Sequence, residues 1–592
     1  MVHFMPFGAA VRPDGGVRFR LWAPAQDRVG LAIEEESEIL TMIACPDGWH
    51  ELVTDRARAG SLYRYVTRDG LRVPDPASRF QPRDVHGPSE VIDPAAYRWS
   101  DQGWRGRPWH EAVLYELHVG TFTPAGTFRA AVEKLDYLRD LGVTAIEMMP
   151  VADFAGARNW GYDGVLFYAP DSSYGQPEDF KALVEAAHAR GIMVLLDVVY
   201  NHFGPEGNYL HAYAPQFFTT RHKTPWGDGI NFDGADCGPV REFVIHNALY
   251  WIEEYQLDGL RLDAVDVIRD DSPLHILQEL ATRVRAQVTN RPIHLLLENE
   301  ENEARWLERT PAGEPKWFTA QWNDDVHHVL HTAASRENSG YYVDYRGDTV
   351  KLGQALAEGF AFQGQLMPYR GRTRGEPSAH LPPGAFVAFI QNHDQVGNRA
   401  FGERLGRLTS SPALRAVTAV YLLLPQIPML FMGEEWNAST PFLFFCDFGG
   451  ELAKAVREGR RREFTRFPEF QDPVRSARIP DPQATGTFLS SKLDWDELSA
   501  PLHAGWLDWY RRILRVRRER VTPLLVRAGR CELIGEESVM VRWRVGQDGQ
   551  LALAANLSDS PTHGFPAPSG SILWQEGAPL VGAPWSVCWW LT

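Results

Sequence analysis

Chemistry is first visible in the stretch Asp258-Gly-Leu-Arg-Leu-Asp-Ala-Val-Asp266. In a strand the side chains alternate, so Arg261 and Asp263 share one face while Leu260, Leu262 and Ala264 share the other. The apolar face packs against something, which leaves the charged face beside a core, where charges are paired or used. An adjacent arginine favours the ionised form of the aspartate. Such a carboxylate could be a nucleophile, a metal ligand or half of a structural ion pair. Other acids stand in or close after short apolar runs: Asp197-Val-Val-Tyr-Asn-His202, Leu295-Leu-Leu-Glu298 and Gln391-Asn-His-Asp394. Carboxylates gathered at one rim repel unless histidine, arginine or a metal compensates, and that cost favours function over folding need. Two chemistries use such a cluster. One is a metal site; the other is glycoside hydrolysis, in which a nucleophilic carboxylate faces a protonatable acid. The Arg261–Asp263 pairing and the aromatic content, 12% with 20 Trp, favour the second.

The elements that must position these residues read as follows. Residues 1–95 alternate apolar and polar residues in short runs such as Val17–Trp22 and Leu62–Val66, separated by Gly and Pro turns, the pattern of an immunoglobulin-like β-sandwich. A Pro-rich passage, Val73–Pro82, leaves it. Residues 96–527 alternate apolar strand-like runs with amphipathic helices. The runs are Val113–Val119, Ala145–Pro150, Met193–Val199, Gly259–Asp263, Ile293–Glu298, Phe318–Trp322, Phe386–Ile390 and Pro428–Met432. Helices are expected over Phe128–Leu141, Asp179–Arg190, Pro239–Gln256, Leu274–Gln287, Lys351–Phe360 and Leu414–Leu424. Eight such units predict a (β/α)8 TIM barrel with insertions, whose chemistry gathers at the C-terminal strand ends. Residues 528–592 return to short strands, a small C-terminal antiparallel β-domain.

Composition narrows the function further. A formal net charge of -16 disfavours nucleic acid as a partner. The basic run Arg511–Arg520, interleaved with Ile513, Leu514 and Val516, reads as the solvated face of an amphipathic helix. Five dispersed cysteines signal neither a disulfide framework nor a zinc site. The first ten residues carry no secretory pattern. The tract Ala416–Met432 is broken by Pro425, Gln426 and Pro428, so no membrane span is expected and the cytoplasm is the expected compartment.

The regions Asp197–His202, Gly259–Asp263, Glu298 and Asn392–Asp394, in this order, resemble the four short sequence regions of glycoside hydrolase family 13, the α-amylase family. The resemblance implies Asp263 as nucleophile, Glu298 as general acid/base and Asp394 as the carboxylate that steadies the transition state. It implies sugar contacts from Arg261, His202 and His393, and Tyr162 matches the tyrosine that stacks on the sugar at the cleavage site. Asp75–Pro82, Val85–Ser89, Tyr115–Thr123, Gln321–Asp325 and His393–Asn398 are most similar to members that hydrolyse the α-1,4 bond next to a terminal α,α-trehalose unit. This implies trehalose-ended maltooligosaccharides and related α-glucans as ligands, and a preceding enzyme that forms the trehalose end. Asp266, Trp322, Asn323, Asp324, Asp325, Gln395 and Asn398 are matched positions expected at the subsites; for Trp322, plain packing is the alternative.

One departure stands out: Asn299-Glu300 follows the acid where many relatives have Ser-Asp. Glu300 is therefore a rival to Glu298, which directly ends the apolar run. A glycogen branching enzyme shares the domains and chemistry and is the alternative. A non-catalytic glucan-binding barrel would be expected to have lost a carboxylate. By family analogy Asn201 could touch calcium, but no complete ligand set is present, and no metal or cofactor is expected. His118 and Asp197 are read as structural.

Overall fold

The computed structural model describes residues 3–100, 103–465, 470–524, 526–578 and 581–592. Met1 and Val2 of the expected N-terminal domain lie outside them. Eight parallel strands close into a barrel in chain order. They are β1 (Leu114–Leu117), β2 (Ala145–Met148), β3 (Met193–Val198), β4 (Gly259–Leu262), β5 (His294–Leu297), β6 (Ala320–Trp322), β7 (Phe386–Ala388) and β8 (Ile427–Phe431). Each falls within or overlaps one of the eight apolar runs, because strands covered on both faces read as near-continuous hydrophobic sequence. Inside the barrel Leu114, Met193, Leu195, Leu296, Val387, Phe389 and Met429 form an apolar plug. The polar residues of the same strands sit above it.

Two features fix β4. Asp258, fully buried at its lower end, accepts hydrogen bonds from the Trp104 indole at 2.7 Å, the His188 ring at 3.0 Å and the Val194 amide at 2.9 Å. At Gly259 a Cβ would lie 2.0 Å from the His294 carbonyl oxygen. Only glycine therefore lets β4 pair with β5 in the register that sets Gly259 against His294.

The flanking sheets follow the short-strand patterns. Near the N-terminus a four-stranded and a five-stranded antiparallel sheet lie together, with Phe19 of one edge-on to Tyr63 of the other at 4.7 Å. The Pro-rich passage ties them to the barrel. Asp75 is buried beneath the hydroxyls of Tyr63 and Tyr65, at 2.6 and 3.3 Å, and burial pushes its carboxyl up to about 6. Arg79 reaches the Ala9 carbonyl at 3.0 Å and Glu254, on the long helix Cys237–Glu254, at 3.3 Å. The C-terminal sheet has five strands; Arg530–Gly535 and Ser571–Glu576 join the three expected runs. Among the described residues no helix is long and apolar enough to cross a membrane.

Several expectations need correction. The segment Phe128–Leu141 is two helices, Phe128–Val132 and Leu135–Leu141. A helix over Asp324–Ser335, capped by the Asn323 side chain, was not expected. The basic run is not wholly solvated. The helix Pro501–Val516 passes into a π turn, Arg517–Val521, and Arg517 is buried there. Its guanidinium donates to the carbonyls of Leu422, Leu424 and Gln426 at 2.6–2.8 Å, at the C-terminal end of helix Ser411–Leu423. The orphan carbonyls and negative dipole end of that helix draw the cation inward. Replacing Arg517 by Met strands these acceptors and should cost about 3 kcal/mol. Its thermal midpoint should fall, whereas Arg518→Ala and Arg520→Ala, both at exposed positions, should not move it. Equal midpoints for the three variants by calorimetry would refute this assignment.

Candidate active site

The site is built around one guanidinium. Arg261, fully buried, projects from β4 into the barrel. Its Nη1 lies 2.6 Å from Asp197 and 2.8 Å from Asp263, and its Nη2 lies 2.8 Å from Glu298. The Trp322 ring lies beneath it at 4.1 Å. β3, β4 and β5 thus deliver their acids to one cation, with Asp197 set beside Arg261 by the strand register.

The shared cation splits the protonation of the acids. Burial works against the Asp263 carboxylate, but Arg261, the Asn201 amide, His202 and a hydrogen bond with Glu298 hold it below its ordinary range. Asn201 donates to both the carbonyl and the Oδ2 of Asp263, at 2.9 and 2.8 Å. Glu298 is pushed well up, first by burial and then, against Arg261, by the charges of Asp263, Asp394 and Asp324. Its Oε2 accepts the Ala264 amide at 2.9 Å. The two carboxyls are thus pushed apart, in the directions that acid catalysis beside a nucleophile would require. Burial lifts Asp197 to about 6, and it accepts the Tyr162 hydroxyl at 2.7 Å.

From β7 the chain turns into the short helix His393–Gly397, capped by Asn392. Asp394 sits in its first turn and accepts Asn398 Nδ2 at 3.1 Å. At Gly397 a Cβ would lie 2.1 Å from the Trp160 ring, so glycine is needed for this turn to reach the cleft. The His393 ring stacks on Tyr162 at 5.0 Å.

Asp263, Glu298 and Asp394 line a single cleft of about 450 Å³ with Tyr162, His202, Asp266, Glu300 and His393. Burial and the Glu300 charge raise Asp266 to about 6. Glu300, the rival acid, is more than half exposed and salt-bridged to Arg370. Trp322 lies under Arg261 and packs in the core. Two residues expected at the subsites are placed elsewhere. Asn323 is fully buried, donating to Gly359 and Gln426. Asp325 is buried among Asn302, Tyr345, Arg374 and the amides of Ala361 and Phe362, where its charge holds neighbouring loops together. Asp324 stands at the start of the same helix, its carboxyl raised to about 7 by burial and Glu300. Gln395 accepts the Tyr341 hydroxyl at 3.3 Å. His118 is buried and hydrogen-bonded to Thr121 and the Asn159 carbonyl.

Some residues of the site escaped the sequence reading. Trp226, half exposed on the hairpin Phe218–Ile230, stacks on His202 at 4.4 Å and lines the cleft. Its one signal was an aromatic at a Pro-Trp-Gly turn. Glu116 and Glu147 were hidden as single acids within apolar strands; both are buried and face the barrel interior side by side. Among the described residues, a cluster with metal-ligand spacing is His222, Asp233 and Asp271. Arg221 already bridges its two aspartates.

Comparison with known proteins extends the picture over the whole chain. The α-amylase catalytic-domain family matches residues 91–225, and a domain family of unknown function matches residues 526–589. A malto-oligosyltrehalose trehalohydrolase of Deinococcus radiodurans is 42% identical over 96% of this chain and 93% of its own. A crystal structure of a candidate alpha amylase from Salmonella typhimurium superposes with a TM-score of 0.95 at 46% identity, covering 100% of both chains. A 1,4-alpha-glucan branching enzyme of Streptomyces avermitilis is 36% identical, over 42% of this chain and 32% of its own. With β-sheets, barrel and cleft all inside the full-length match, the chain belongs to the malto-oligosyltrehalose trehalohydrolase family, within the α-amylase family.

Proposed function

We propose that the protein hydrolyses the α-1,4 bond next to the terminal trehalose unit of malto-oligosyltrehalose, releasing trehalose and a maltooligosaccharide. The observation that carries the chemistry is Arg261 shared between Asp263 and Glu298 in one cleft. The trehalose specificity comes from the full-length relatives. Asp263 attacks the anomeric carbon while Glu298 gives its proton to the departing 4-oxygen of the trehalose unit. Water then attacks the glycosyl-enzyme with Glu298 as base. The common guanidinium of Asp263 and Glu298, 2.8 Å from each carboxyl, suits the short carboxyl spacing of a retaining site, about 5 Å, in preference to the wider gap that admits a water. Asp394 accepts sugar hydroxyls more strongly as the ring distorts, which is differential binding of the transition state. Tyr162, His202, Arg261 and His393 position that sugar. Asp266, Asp324 at the start of the helix after β6, and Gln395 and Asn398 in and just past the short helix after β7 serve the neighbouring subsites. The maltooligosyltrehalose itself must come from an enzyme that rearranges the end of an α-glucan. Five free thiols suit a reducing cytoplasm.

Incubation with malto-oligosyltrehalose and with plain maltooligosaccharide should release trehalose from the first with little cleavage of the second, and NMR of the first product should show retention. Branch formation would instead favour the branching-enzyme reading. Asp263→Asn should lower kcat by about a thousandfold or more with folding intact; substantial turnover would remove it from the nucleophile's role.

The raised Glu298 gives a second test. Its proton persists above a glutamate's ordinary range, so activity should survive toward neutral pH and fall as Glu298 ionises. Glu298→Gln should cost about a thousandfold on malto-oligosyltrehalose. On α-maltosyl fluoride, whose leaving group needs no proton, the first-step kcat/KM should drop far less. An equal loss on both substrates would contradict the acid role.

A further inference from the structure

His393 is gripped from inside the barrel. Glu116, on β1, accepts the His393 backbone amide on Oε2 at 3.0 Å and meets the ring Nδ1 with Oε1 at 2.5 Å. The opposite ring nitrogen, Nε2, lies 3.5 Å from Asp394 Oδ1. Stacking on Tyr162 at 5.0 Å and the edge of Trp160 at 5.4 Å fix the ring plane. With Nδ1 donating to Glu116, only the imidazolium puts a second N–H toward Asp394; the neutral ring would turn a lone pair on that carboxylate.

We propose that Glu116 is a positioning residue that holds His393 as an imidazolium facing Asp394. The proposal rests on the reading of Asp394 as the carboxylate that steadies the transition state. The ring's other charged neighbours do not replace Glu116. Arg261 repels the cation. His118 is kept neutral, burial pushing it down to about 3. Tyr162 and Asp197 are engaged with each other. Glu147 is the register partner of Glu116, but burial and Glu116 push its carboxyl well up, toward the neutral form. The balance agrees with the geometry: burial opposes the cation, but Asp394 and Glu116 raise His393 to about 9.

Glu116→Gln keeps the shape and removes the charge. With α-maltosyl fluoride, which takes the Glu298 proton out of the measured step, kcat/KM at pH 8 should fall about 10–100-fold relative to the parent. Near pH 5.5, where His393 is protonated in both, the two should agree within about threefold. Glu116→Asp should recover part of the alkaline activity. In 15N NMR of the parent, the imidazole signal absent from His393→Gln should be doubly protonated at pH 7. An alkaline limb unmoved in Glu116→Gln, or shifted as far by Glu147→Gln, would overturn the proposal. So would a neutral His393 in the parent at pH 7, a result that stands even if the Glu116 variants fail to fold. Failure of the underlying functional reading is separate: the parent would release no trehalose.

Discussion

The structure depends on a buried cation that several acids must share. Arg261 has no solvent to screen it, and taking such a charge out of water is costly unless it is bonded on several sides. Asp197 and Asp263 accept its hydrogen bonds, Glu298 adds an ion pair, and the Trp322 face supplies a fourth surface. The same arrangement decides the chemistry. One cation cannot keep every neighbouring acid ionised in a low-dielectric interior. Asp263, with Asn201 in support, is held below its ordinary range, and Glu298 is pushed well above its own.

A site arranged this way must be rigid, since its protonation pattern follows from distances of under 3 Å. The fold meets that need by placing the charged groups on strands or directly at their ends. Asp258 anchors the lower end of β4, Gly259 permits its close approach to β5, and the apolar plug below prevents collapse or slippage. The aromatic walls come from a different source. Tyr162 and Trp226 stand on the long links after β2 and β3, and from its link Tyr162 reaches back to Asp197. The charged groups thus belong to the barrel strands, and the aromatic walls to its loops.

How much of this was legible follows from the same division. The strands could be placed because both their faces are buried, and the acids at their ends could be read because polar residues rarely close an apolar run by accident. Asn323 and Asp325 were misjudged because sequence position marks the strand end but not which way a side chain turns once a helix starts. Glu116 and Glu147 were missed for the opposite reason: within Leu-Tyr-Glu-Leu and Ala-Ile-Glu-Met a lone acid is submerged in apolar signal. Arg517 looked solvated because the carbonyls that bury it come from residues about ninety positions away. Trp226 reaches His202 only through the folding of a polar hairpin, and polarity alone gives no register for that.

A second cation completes the electrostatic argument. Arg261 lies on the β3–β5 side of the barrel and His393 follows β7, so the acids divide between two positive centres. Asp197, Asp263 and Glu298 gather on the first, and Glu116 and Asp394 flank the second. Tyr162 joins the halves, its hydroxyl on Asp197 and its ring on His393. In the proposed mechanism an oxocarbenium-like transition state would place positive charge between the two centres. On that reading Asp263 and Asp394, held by Arg261 and His393, would stabilise it without first shedding water, the preorganisation that makes a buried charge cluster worth its folding cost.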